Sequence, residues 1–179
     1  MAVGATVHTF AIELSDADRH VYQSLELRVA RHPSETAQFM LARVLAYCLE
    51  YQDGIVLTAG IAAVDEPAVL VRDLTGRLTA WIEVGAPDAE RLHRGSKQAG
   101  RCAVYTHRDP APLLEQLAGQ KIHRAAEIPL YSFERPFMDE ASAALGRRAS
   151  LSLSVTGRHV YLDVDGKGFE SAIQEQRLG

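Results

Sequence analysis

The chain has 179 residues and a mass of 19.6 kDa, one domain's worth at roughly 100–200 residues per domain. Its 47% hydrophobic and 23% charged fractions exclude wholesale disorder and collagen-like repeats. A net charge of −4 excludes a protein held to nucleic acid by bulk charge, so any such contact needs a local basic face.

The opening run Val3 to Leu14 is rich in strand formers, and Ser15-Asp16-Ala17-Asp18 closes it as a turn. Leu25, Leu27 and Val29 alternate with Glu26, Arg28 and Ala30, which predicts a second, half-buried strand and so an N-terminal hairpin. Pro33 stops it and is placed to open a helix. Met40, Leu41, Val44, Leu45, Cys48 and Leu49 repeat at three- and four-residue spacing, which predicts a helix from Ser34 to Tyr51, ended by Asp53-Gly54. Gly60 and Asp65-Glu66-Pro67 read as loop. Apolar runs at Ala68–Arg72 and Arg77–Val84 flank Asp73-Leu74-Thr75-Gly76 and predict a second hairpin.

Asp88 caps a short predicted helix reaching Gln98, and Cys102–Tyr105 follows as a strand, so the order strand, helix, strand predicts a parallel crossover. Asp109-Pro110 starts another helix ending near Gly119. Ala125 to Phe133 reads as a strand with Pro129 inside it, and Pro136 to Leu145 as a helix. Leu151, Leu153 and Val155, then Thr156-Gly157, then Val160, Leu162 and Val164 predict a C-terminal hairpin, and Asp165-Gly166 turns the chain again. The expected fold is a single α/β domain over residues 1–179, with mixed strands.

Cys48 and Cys102 allow no disulfide framework and no multi-cysteine zinc site, and they suit a reducing compartment. With no basic leader and no apolar run long enough to span a bilayer, a cytoplasmic protein without a membrane partner is expected. Histidines show no helical i, i+4 pair, and no glycine-rich phosphate loop or Gly-x-Ser-x-Gly occurs.

Carboxylates carry the remaining chemistry. Glu83 lies in the apolar run Trp81-Ile82-Glu83-Val84-Gly85, where a charge is costly unless something pairs with it. A strand-end carboxylate near others makes an oxygen-lined site for Mg²⁺ or Mn²⁺, whereas solvent exposure or an arginine partner is the plainer alternative. Glu35 reads as a first-turn helix acid favoured by the dipole, Asp65-Glu66 as a ligand loop or an acidic turn, and Asp73 as a ligand or a hairpin residue. Arg31, His32 and Ser34 form a polar entry to the helix that either receives an anion such as phosphate or, more commonly, only caps and solvates the helix start. Arg91, His93, Arg94, Lys97 and Arg101 form the best local basic patch, with a solvated helix face as the alternative.

Taken in order, Asp18-Arg19, Ala30-Arg31-His32-Pro33-Ser34-Glu35-Thr36, Asp65-Glu66-Pro67, Asp73-Leu74-Thr75-Gly76, Trp81-Ile82-Glu83-Val84-Gly85 and Pro87-Asp88 resemble the bacterial YaeQ family over nearly the whole chain. That resemblance implies a variant of the PD-(D/E)XK nuclease fold, with a central mixed sheet flanked by helices and a carboxylate cluster for Mg²⁺. Carried onto this chain, the helix acid is Glu35, the strand acid is Glu83 and the proline is Pro67. Ala68 stands where the superfamily has an aspartate, so Asp65 or Glu66, or Asp73, would replace it. Gly85 stands where it has lysine, and Lys97 would supply that charge. The expectation is then metal-dependent phosphodiester hydrolysis. Glu83 and the Asp65 loop would hold the ion, Glu35 a second ion or the water, Lys97 the developing charge, and Arg31, His32 and Ser34 the phosphate. The alternative is a non-catalytic module for nucleic acid or protein whose acids are separately paired with arginines. A homodimeric structural protein joined through its N-terminal hairpin is the third reading, and monomer or homodimer is left open.

Overall fold

The computed structural model describes residues 4–59 and 65–179; Val3 and Gly60 lie outside them. The packing divides into two compact units, residues 1–41 with 133–174 and residues 42–132 with 175–179.

In the first unit, β1 (Thr6–Asp16) and β2 (Val21–Arg31) form the antiparallel N-terminal hairpin, with Thr6 opposite Arg31 and Asp16 opposite Val21. Beside β1 and parallel to it runs β8 (Arg148–Thr156), followed by antiparallel β9 (His159–Val164) and β10 (Lys167–Arg177). One face carries the core. Phe10, Ile12 and Leu14 on β1 are buried, as are Leu151, Leu153 and Val155 on β8, with the intervening residues exposed. That strict period of two pins the register, since a one-residue slip would turn every apolar side chain to water. The helix α4 (Arg135–Ala144) packs on β9 through this unit's chain, burying Phe137, Met138 and Ala141.

The helix α1 (Ala37–Leu49) carries the chain from the first unit into the second after Leu41. It begins three residues later than its sequence pattern predicts. His32–Ser34 close a turn of their own, with Ser34 N–H donating to His32 Nδ1 at 3.1 Å and Glu35 N–H to His32 O at 2.9 Å. Thr36 is the residue that caps the helix, its Oγ1 accepting from Phe39 N–H at 3.1 Å. Pro33 and Glu35 therefore precede the helix, and Glu35 is not in its first turn.

The second unit pairs β3 (Ile55–Leu57), β4 (Val69–Arg72) and β5 (Leu78–Val84) antiparallel, then β6 (Arg101–Tyr105) and β7 (Pro129–Phe133) parallel. The predicted crossover is present: α2 (Ala89–Gln98) joins β5 to β6, with Asp88 accepting from Arg91 N–H at 2.8 Å as its cap. The next helix, α3 (Pro110–Leu117), is capped by Asp109 through Ala111 N–H at 3.0 Å. The strand predicted from Ala125 begins instead at Pro129, because Arg124 at φ 52° turns Ala125–Glu127 into a 3₁₀ turn. Proline is tolerated at that first strand position, where its missing N–H costs no interior ladder bond. The core here gathers Trp81, Leu92, Cys102, Val104, Leu113 and Leu130. No helix of the described residues is long and apolar enough to cross a membrane.

Candidate functional site

Trp81 and Glu83 stand two apart on β5, so they point to the same face of the sheet. Glu83 is 4% exposed. Its Oε2 accepts from Trp81 Nε1 at 2.9 Å and from Arg91 Nε at 2.9 Å, and its Oε1 accepts from Arg91 Nη2 at 3.2 Å. The guanidinium grips the carboxylate through both oxygens, the geometry in which arginine pairs most strongly. Arg91 Nη2 also donates to Glu66 O at 2.9 Å. The acid loop thus reaches the Glu83 site through its backbone, while the Asp65 and Glu66 side chains stay exposed.

The same pattern recurs at the end of α1. Glu50 is 6% exposed and accepts from Arg101 Nε at 2.6 Å and Nη2 at 2.8 Å, and from Tyr105 Oη at 2.6 Å. Arg101 Nη2 also meets Tyr131 Oη at 3.3 Å, and the Tyr105 and Tyr131 rings sit 4.8 Å apart. The hydrogen bond to Glu50 holds Arg101 protonated more firmly than usual, and burial, reinforced by Glu50, raises the Tyr105 phenol well above its usual range. In the first unit, Asp16 is 1% exposed and pairs with Arg19 Nε at 2.9 Å. Buried carboxylates without such partners would be expensive, and these pairs offset the cost of placing the acids inside the fold. Cys102, opposite Trp81 on β6, has its thiol pushed up to about 12, first by burial and then by the Glu83 charge. At neutral pH it is an inert thiol.

The other candidates are placed apart from this cluster. Asp73 sits in the β4–β5 turn, its Oδ1 accepting from Thr75 N–H at 2.9 Å, Thr75 Oγ1 at 2.6 Å and Arg77 N–H at 3.0 Å. The Thr75 hydroxyl, more than any other group, lowers its pKa. That turn opens β5, and Glu83 lies roughly 17 Å along the strand from Leu78. Lys97 is exposed in the last turn of α2, about 9 Å along the helix axis from Arg91. Glu35 is buried in the first unit, its carbonyl accepting from Arg31 Nε at 2.9 Å. His32 Nδ1 and Ser34 Oγ are 2.7 Å apart.

A hard divalent ion needs several carboxylate oxygens free to converge. Both Glu83 oxygens are engaged and Asp73 is committed to its turn, and among the described residues no group of three His, Cys, Asp or Glu is placed to hold a metal. The residues as folded do not fit Mg²⁺ or Mn²⁺. Arg91 supplies the positive charge that the resemblance assigns to an ion and to Lys97.

The basic patch is also redistributed. Arg91 and Arg101 turn inward onto Glu83 and Glu50. Arg94 and Lys97 face outward; the Arg94 guanidinium carbon lies 6.0 Å from the Trp81 ring centre. The loop after α3 adds exposed Lys121 and His123, tied on by His123 N–H donating to His93 Nδ1 at 3.0 Å. Arg124 closes the end of α2, donating to Ser96 O at 3.1 Å and Ala99 O at 3.0 Å. Local desolvation, then the charges of Lys97, Lys121 and His123, lowers the His93 pKa. The sequence signal for the inward pairs was faint: Trp-x-Glu on one strand face and an arginine three residues past a helix cap.

The fold and site define a mixed α/β protein of ten described strands and four helices in which buried Asp16, Glu50 and Glu83 are each paired with an arginine. A family model described as YaeQ protein matches residues 1–173, and the chain belongs to the YaeQ family. It is 28% identical over 171 residues to an uncharacterised YaeQ protein of Escherichia coli K12, covering 95% of this chain and 94% of that one. An uncharacterised YaeQ protein of Salmonella typhi is 33% identical over 163 residues, 90% of each chain. Among solved structures, the YaeQ protein from Pseudomonas syringae matches with a TM-score of 0.86 at 27% identity over 98% of each chain. That from Xanthomonas axonopodis pv. citri shares the fold, with a TM-score of 0.87 at 24% identity over 96% of this chain and 98% of that one.

Proposed function

We propose that this chain is a non-catalytic nucleic-acid-binding module of the YaeQ family that grips the phosphate backbone through the outer face of α2. The observation that carries the reading is the division of labour among the α2 cations. Arg91 is spent inward on Glu83, whereas Arg94 and Lys97 face water and make no ion pair among the described residues, beside Lys121 and His123. A PD-(D/E)XK-like ancestry with metal-dependent cleavage is the competing reading; it needs Glu83 open to a cation. The exposed large apolar side chains described in this unit are Val56 and Leu74, neither of them aromatic, which favours backbone contact over base stacking. Backbone contact without sequence readout follows. One family model running through both units supports reading them as a single domain, and the two buried free thiols suit a cytoplasmic setting.

Fluorescence anisotropy with a short labelled DNA duplex tests this. Three phosphate contacts, from Arg94, Lys97 and Lys121, predict a log–log salt slope of about −2.7, and Arg94→Ala with Lys97→Ala reduces it to about −1. Binding that ignores both salt and these substitutions contradicts the reading. So does cleavage of the duplex in Mn²⁺ that disappears in Glu83→Gln.

A further inference from the structure

In the first unit, a separate cleft of about 360 Å³ is lined by Thr6, His8, Arg31, His32, Pro33 and Arg147. The topology builds it. Thr6 lies directly opposite Arg31 across the β1–β2 pair, and Thr9 N–H donates to Arg147 O at 2.7 Å, which brings the entry to β8 alongside. Two guanidinium groups and two imidazoles thus meet at the start of β1, and among the described residues no carboxylate lines the space.

The donors are held in place with capacity to spare. Arg31 uses Nε on Glu35 O at 2.9 Å, which fixes its plane and leaves both terminal nitrogens without a bond among the described residues. Arg147 is exposed and its side chain makes no ion pair there. His8 is 5% exposed, and its Nδ1 is 3.0 Å from Gly146 O. A carbonyl can only accept, so Nδ1 carries the hydrogen and Nε2 is the ring's remaining polar atom. His32 Nδ1 accepts from Ser34 N–H at 3.1 Å, so its Nε2 is the protonated donor. A guanidinium fork matches two oxygens of a tetrahedral oxyanion, the His32 Nε2–H serves a third, and His8 Nε2, with its ring hydrogen spent on Gly146 O, accepts from a phosphate hydroxyl.

We propose that this cleft binds a phosphate monoester group, with Arg31 and Arg147 as the charged clamps, His32 Nε2–H as a ring donor, and His8 Nε2 accepting from the hydroxyl of the singly ionised phosphate. The site is independent of the α2 face. The same group can come from a small phosphorylated metabolite or from a phosphorylated nucleic-acid end, and the probes separate these sources. Inorganic phosphate, ribose 5-phosphate and a 5′-phosphorylated trinucleotide are titrated into the full chain, followed by the histidine ring carbon–proton signals in NMR spectra. Saturable shifts of His8 and His32 with all three probes are expected, and the tightest of them identifies the source. Arg147→Ala, whose side chain makes no other bond among the described residues, weakens binding about tenfold, while Lys167→Ala, an exposed cation outside the lining, leaves it unchanged. Absence of saturation with every probe, or an Arg147→Ala protein that binds like the natural one, overturns the proposal.

Discussion

Arg91→Ala is expected to lower the unfolding free energy by about 3 kcal/mol, the low end of the cost of removing one partner from a buried ion pair. The low end applies because the Arg91 side chain is 25% exposed and Glu83's is 5% exposed. Truncation removes two bonds to Glu83 and one to Glu66 O, and leaves the buried carboxylate with the Trp81 indole alone. Urea unfolding should show a lower midpoint with an unchanged slope, since the loss is of stability and not of compactness. Removing both charges tells the pair from mere bulk. Glu83→Met with Arg91→Met is expected to recover most of the loss, because no charge is then stranded. Lys97→Ala, at the residue expected to supply the charge missing at Gly85, should change stability by no more than about 0.5 kcal/mol. An Arg91→Ala protein as stable as the natural one would mean that the pair does not fasten α2 to β5.

Gly95→Ala should destabilise by about 2 kcal/mol, although the same change in an ordinary helix stabilises by roughly 0.5–1 kcal/mol. A Cβ there would lie 2.5 Å from Trp81 Cδ1 and 2.6 Å from Cγ and Nε1. Trp81 is 2% exposed, so its ring has no free space to retreat into. Moving it also draws Nε1 away from Glu83 Oε2. The close approach of helix backbone to indole is what glycine permits at this position. Trp81 is the chain's one tryptophan, so its fluorescence reports the displacement while urea unfolding reports the energy. A variant at or above the natural stability would contradict this packing.

Strong periodicity made much of the fold legible. The strict alternation of exposed and buried residues along β8 and the apolar spacing of α1 are readable from side-chain type alone, as are the Asp88 and Asp109 caps. The missed elements lack that signal. In β10 only Ser171 and Ile173 are buried, so its polar run carries no alternation, and β3 has just three residues. The parallel neighbour of β1 is β8, more than a hundred residues on, which no local pattern encodes. The site was legible in residue identity and less so in partnership. Glu83 stood out as an expensive charge, but whether a cation or an arginine neutralises it depends on which side of α2 faces β5. Arg91 and Arg101 read as surface charge in the sequence and turn inward in the fold. His8 and Arg147 gave no motif because only strand pairing brings them near Arg31.

At Glu83 a guanidinium stands where a divalent ion would otherwise neutralise the carboxylate. Isothermal titration of the natural protein with Mn²⁺ measures this directly. The expected result is no saturable heat below about 1 mM, a threshold equal to about 4 kcal/mol of binding free energy, with Glu83→Gln giving the same trace. A stoichiometric site at micromolar affinity that vanishes in Glu83→Gln would contradict it.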